Sequence, residues 1–132
     1  MDIALCAFDF NNNRLEYAGA NRPLYLIRQG ILHETPATKV SIGGYTDPEQ
    51  VFENHVIELQ EGDMIYIFSD GYADQFGGEK RKKFMTKRFK ELLIKISDQN
   101  KDDQANTIRK TFNEWKGNEP QTDDILVIGV RI

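Results

Sequence analysis

Over the first half of the chain, apolar residues come in short strand-length stretches, and after residue 84 they switch to helical spacing. "IALCAFDF" (3–10) reads as a strand and "NNN" (11–13) as a turn of residues that tolerate left-handed backbone. "RLEYAGA" (14–20) returns, which makes a hairpin. "PLYLIRQGILHE" (23–34) is a second hairpin with its corner at Gln29-Gly30. After the loop "VSIGGYTDPEQ", a strand over 51–60 leads through the turn Glu61-Gly62-Asp63 into "MIYIFSD" (64–70). Met85, Phe89, Leu92, Leu93 and Ile96 then define one helical stripe, and Ala105, Ile108, Phe112 and Trp115 a second. Gly117 suits a helix C-cap, Pro120 breaks the chain, and "DILVIGVRI" (124–132) ends it as a strand.

Five or six strands, two helices and a final strand, with no linker or repeat, predict an α+β fold in one domain over residues 1–132. The expected architecture is an antiparallel sheet or β-sandwich with flanking helices. "IALCAF", "MIYIF" and "ILVIGV" are apolar at nearly every position, a pattern of strands covered on both faces, so all three are expected to lie centrally.

Composition narrows this reading. A chain of 132 residues can hide a real core. A net charge of −4 disfavours nucleic acid and anionic membrane as partners. The single cysteine, Cys6, excludes an intrachain disulfide and fits a small core residue in a reducing compartment. No apolar run reaches the roughly 20 residues of a membrane span, and no basic segment precedes a hydrophobic one at the start. A cytoplasmic protein is expected.

The candidate chemistry lies at strand ends. Asp70 closes a buried strand and Asp123 opens another. If those strands are antiparallel neighbours, both carboxylates meet at one rim. Paired acids repel unless a proton or cation lies between them, and hard divalent ions such as Mg²⁺ or Mn²⁺ suit oxygen donors. Gly71 would let the backbone turn sharply there. The same residues have a simpler reading: Asp before Gly is common in turns, and Asp at a strand end often caps a following helix, here "GYADQF". Spacing alone leaves both open.

"GDMIYIFSDGYADQFGG", "TDDILVIGVRI" and "YAGANRPLYLIRQG" together resemble the C-terminal half of the PPM-type, metal-dependent serine/threonine protein phosphatases, in their SpoIIE/RsbU-like branch. The resemblance covers essentially the whole chain. It implies a β-sandwich with helix pairs and a pair of Mn²⁺ or Mg²⁺ ions at one rim. The implied activity is removal of phosphate from phosphoserine or phosphothreonine in a bacterial regulatory protein by a metal-activated water, with an anti-sigma-factor antagonist as one possible substrate. By position, Asp70 and Asp123 match two metal-binding aspartates of the family. Asp74 falls where some members carry another acid near an extra metal position. Asp124 has a supporting or capping part, beside Gly71, and Asn21 and Arg22 lie in a family-like hairpin without a defined chemical role.

In that family the remaining ligands come from an N-terminal half that includes an Asp-x-x-Gly-His-Gly segment. Here the only histidines are His33 and His55, which read as structural. The chain is therefore expected to begin partway through the domain, to show negligible phosphatase activity alone, and to self-associate through an apolar sheet face and open edges. The alternative is a non-catalytic half-domain that binds a partner protein. The cationic run Lys80–Lys83 in "EKRKKF" reads as a solvated loop, or else as a docking point for an acidic phosphoprotein. Trp115 reads as core, and Ser69 lacks the partner base of a nucleophile.

Overall fold

β1 (Ile3–Asp9) and β2 (Arg14–Ala20) form the first expected hairpin, paired antiparallel from Ile3↔Ala20 to Asp9↔Arg14. Asn13 takes the left-handed backbone that the Asn-rich turn predicts, with φ 49°. β5 (Asn54–Glu58) pairs on the other side of β2, from Arg14↔Glu58 to Ala18↔Asn54, and completes a sheet of order β1-β2-β5. β3 (Leu24–Arg28) and β4 (Ile31–Thr35) turn at Gln29-Gly30 as read from the sequence. With β6 (Met64–Phe68) and β9 (Val127–Arg131) they make a second sheet of order β4-β3-β6-β9. The computed structural model describes residues 1–45 and 47–132, which fall into two units.

The first unit comprises Met1–Gln29, His33–Ile67 and Ile128–Ile132. One face of each sheet packs inward, where Leu15 and Tyr17 of β2 meet Leu24 and Leu26 of β3, Leu59, and Ile65 of β6. Removing each of these aliphatic side chains from water contributes about 1.5–3 kcal/mol. Asp63, 1% exposed, organises the turn before β6. It accepts hydrogen bonds from Arg28 Nε (2.8 Å), Arg28 Nη2 (2.7 Å) and the Gln60 amide (2.8 Å). Burial alone would push the Asp63 carboxyl up, but these hydrogen bonds and the Arg28 charge hold it below its ordinary value. Cys6 is partly buried against the core, and burial raises its thiol to about 11, which suits a packing residue.

Two of the three apolar strands do not lie centrally. β1 is the outer strand of its sheet and β9 the outer strand of the other, and only β6 has a neighbour on each side. Leu5 is 65% exposed and Ile128 41%. Their side chains are largely on the surface, so the apolar run does not mark a central position.

The second unit comprises Gly30–Leu32 and Phe68–Val127. It contains α1 (Gly71–Asp74), the ribbon β7 (Phe76–Gly77) and β8 (Lys82–Lys83), α2 (Thr86–Ile96) and α3 (Lys101–Lys116). Its centre is aromatic: the Tyr72 ring lies 5.2, 4.9 and 5.3 Å from those of Phe84, Phe89 and Phe112. Such contacts add to area burial, and the Tyr72 hydroxyl donates to Ile108 O at 2.8 Å. α3 begins at Asn100, whose side chain accepts from the Asp103 amide at 2.9 Å, and ends at Gly117 as its glycine predicts. Met85 leaves its stripe, being exposed at the α2 N-cap with φ 77°, and on α3 Gln104 is buried where Ala105 is not. α1 falls within "GYADQF", the segment read as a helix after Asp70, whereas the β7–β8 ribbon was not expected as an element. Among the described residues no helix is long and apolar enough to cross a membrane.

Candidate functional site

Within the second unit, the leg leaving β6 and the leg entering β9 are stitched together at Ser69. Its amide donates to Leu126 O at 3.0 Å. Its hydroxyl donates to Asp124 O at 2.9 Å and accepts from the Leu126 amide at 3.0 Å. Two residues on, a Cβ placed on Gly71 would collide with the Asp124 carbonyl. Numbering thus rises on one leg as it falls on the other, 69 beside 126 and 71 beside 124, which is an antiparallel approach. Gly71 is required by that close approach and not by a left-handed turn, since its φ is not among the positive ones.

Asp70 occupies the N-cap position of α1, and its carbonyl accepts the Asp74 amide at 2.9 Å, but its carboxylate makes no cap hydrogen bond. The capping use of that side chain is absent. Asp123 is exposed, and its Oδ1 accepts the amide of Asp124 at 2.7 Å, while its carbonyl accepts from Gln121 Nε2 at 2.9 Å. Asp124 contributes its backbone, held by the Ser69 hydroxyl and the Asp123 carboxylate. Asp74 forms a half-exposed ion pair with Lys83 Nζ at 3.0 Å, so a cation binding there would have to displace an ammonium.

Asn21 belongs to the first unit and does structural work. With φ 58°, it donates from Nδ2 to Asp2 Oδ1 and to Ser41 Oγ, both at 3.0 Å. Arg22 Nη2 reaches Asp2 Oδ2 at 2.8 Å. The hydrogen bonds from Asn21 and Ser41, with the Arg22 charge, pull the Asp2 carboxyl down to about 2. His55 stacks on Tyr17 with ring centroids 5.8 Å apart.

Asp70 and Asp123 offer hard carboxylate oxygens of the kind Mg²⁺ and Mn²⁺ take, so the donor type fits. The number falls short: among the described residues no group of three or more His, Cys, Asp or Glu is gathered for a metal. The sequence reading missed Ser69 as the residue that fixes these two legs. The signal was available, since a small hydroxyl at a strand end can substitute for backbone partners in both directions.

The sequence matches the family model for Stage II sporulation protein E (SpoIIE) over residues 1–132. The chain belongs to the SpoIIE family. Among solved structures, this SpoIIE-family chain is similar to the SiaA-PP2C domain of Pseudomonas aeruginosa at 30% identity and TM-score 0.91, over 99% of this chain and 51% of that one. The phosphatase domain of the cell fate determinant SpoIIE from Bacillus subtilis matches at 16% identity and TM-score 0.72, over 99% and 56%. The RsbU and RsbW domains of Rv1364c from Mycobacterium tuberculosis match at 17% identity and TM-score 0.74, over 98% and 35%. The chain thus spans about half the length of the SiaA and SpoIIE domains it matches. No curated protein matches it. Antiparallel sheets with flanking helices are the architecture shared with these PP2C domains, which is the α+β class expected from the sequence.

Proposed function

We propose that residues 1–132 form the C-terminal part of a SpoIIE-family phosphatase domain that removes phosphate from phosphoserine or phosphothreonine in a bacterial regulatory protein, such as an anti-sigma-factor antagonist, in the cytoplasm. Asp70 and Asp123 would hold Mn²⁺ or Mg²⁺, with Asp74 available for a weaker additional ion once Lys83 moves. A divalent cation supplies charge neutralisation for a phosphoryl group and acidifies water. This chain's part would be to present the two carboxylates from legs that the Ser69 hydroxyl joins by hydrogen bonds. The observation that carries the reading is the antiparallel stitch at Ser69 and Gly71, which brings the Asp70 and Asp123 legs to one end. Family membership supports the reaction class.

One observation favours a second reading. Apolar side chains stand exposed along β1, Leu5 at 65%, a surface suited to binding a protein partner without turnover. The two readings part when residues 1–132 are joined to the N-terminal half of the SiaA PP2C domain. The catalytic reading expects Mn²⁺-dependent hydrolysis of a phosphoserine peptide, lost with Asp70→Asn or Asp123→Asn and retained with Lys83→Ala. Hydrolysis that survives both Asn substitutions contradicts it.

A further inference from the structure

Most of the cationic run 80–83 lines a pocket of about 560 Å³ within the second unit. Lys80, Lys82, Lys83 and Arg88 line it together with Trp115, and Glu79 is the one acid on its wall. The pocket has a fixed frame. The Gly78 amide donates to Trp115 O at 2.9 Å, and a Cβ on Gly78 would sit 2.9 Å from the indole ring, so the β7–β8 ribbon lies directly on Trp115. The Arg88 guanidinium stands 4.4 Å from the centre of the same ring, an arrangement that holds a cation in place without consuming its charge.

The charges divide cleanly. Lys83 is paired with Asp74 at 3.0 Å and Arg81 with Glu119 at 2.8 Å. Lys80, Lys82 and Arg88 have no carboxylate partner among the described residues. The first turn of α2, which begins beside them, contains no acid either. In a chain of net charge −4, this leaves three unneutralised cations around one concave, open space. Their positions on the ribbon loop and on α2 are spread over several charges. That suits an extended polyanion better than a single phosphate, which needs converging donors. Arg88 already covers Trp115, so the ring offers no free stacking platform of the kind single-stranded nucleic acid uses.

We propose that this pocket docks an acidic peptide segment of a protein partner. Identifying that partner as the phosphatase's substrate rests on the function proposed above, whereas the docking itself does not. Trp115 is the only tryptophan, so its emission reports on the pocket directly. The experiment titrates the 132-residue chain, without metal, with a short Glu/Asp-rich peptide, following Trp115 emission and the anisotropy of the labelled peptide. The proposal expects saturable binding that weakens as salt rises. It also expects Lys80→Glu/Lys82→Glu to raise Kd by about tenfold at an unchanged Tm, while Lys110→Glu on α3 leaves Kd unaltered. Equal binding of a Gln/Asn peptide of the same length overturns it, as does an unchanged Kd in the double variant. A response to inorganic phosphate or to anionic vesicles, with none to the peptide, also overturns it. Peptide binding without hydrolysis in the SiaA-joined protein would leave the docking site and remove the phosphatase reading. Hydrolysis without peptide binding would do the reverse.

Discussion

The Ser69 hydroxyl does two backbone jobs at once, donating to Asp124 O and accepting from the Leu126 amide. Ser69→Ala removes both bonds and leaves those groups to find water, so a loss of about 1–2 kcal/mol is expected in urea unfolding. Gly71→Ala is expected to cost more, about 2–3 kcal/mol, because the new methyl meets the Asp124 backbone and no flexible side chain can move aside. A Gly71→Ala stability within 0.5 kcal/mol of wild type would contradict that close approach. Asp2 supplies a pH signature. Its carboxyl lies at about 2 in the folded chain, held there by Asn21, Ser41 and Arg22. A depressed folded pKa contributes stability that is present above the unfolded value, about 3.9, and lost as pH falls through the folded one. Acid titration should therefore show a loss between about pH 4 and pH 2 that is smaller in Asp2→Asn. Asp70, Asp123 and Gly71 stood out in the sequence because acids and glycine at strand ends break an apolar run. Ser69 and Asp2 did not, since what they do depends on partners 19 to 57 residues away.

At the scale of elements, the turn into β6 depends on one ion pair. Arg28 on β3 grips Asp63 with two nitrogens, and Arg28→Ala would leave a carboxylate that is 1% exposed without its partner. A loss of about 3 kcal/mol in chemical denaturation is expected, against well under 1 kcal/mol for Arg14→Ala, whose partner Glu16 is on the surface. Strands and helices long enough to display a period were legible: β1 to β6, α2 and α3 all lie where the pattern puts them. α1, with four residues, was marked only by Asp70 ahead of "GYADQF", and the two-residue strands β7 and β8 are shorter than any period and were not legible. Ala105 and Met85 fit helical spacing, yet both are exposed. Spacing identifies a face, while burial depends on what packs there.

At the scale of the whole molecule, the first unit leaves apolar surface open along β1, where Ala4, Leu5, Cys6 and Phe8 border a cleft of about 270 Å³ with Ile67 and Val130. An outer strand with such a face is a template for association, and light scattering of the 132-residue chain is expected to show a dimer or larger species. A monomer at high concentration would count against this. The fold class was legible because the switch from strand to helix pattern is global. The ligand set was not, because two carboxylates in a sequence do not reveal how many other oxygens a fold brings to them. The chain alone is accordingly expected to hydrolyse neither an aryl phosphate nor a phosphoserine peptide measurably. Asp70 and Asp123 are proposed to share a divalent cation, and isothermal titration of Mn²⁺ into the chain measures that binding. Weak saturable binding by wild type, abolished equally by Asp70→Asn and by Asp123→Asn and retained in Lys83→Ala, is the expected result. Mn²⁺ binding that persists unchanged in either Asn variant would contradict it.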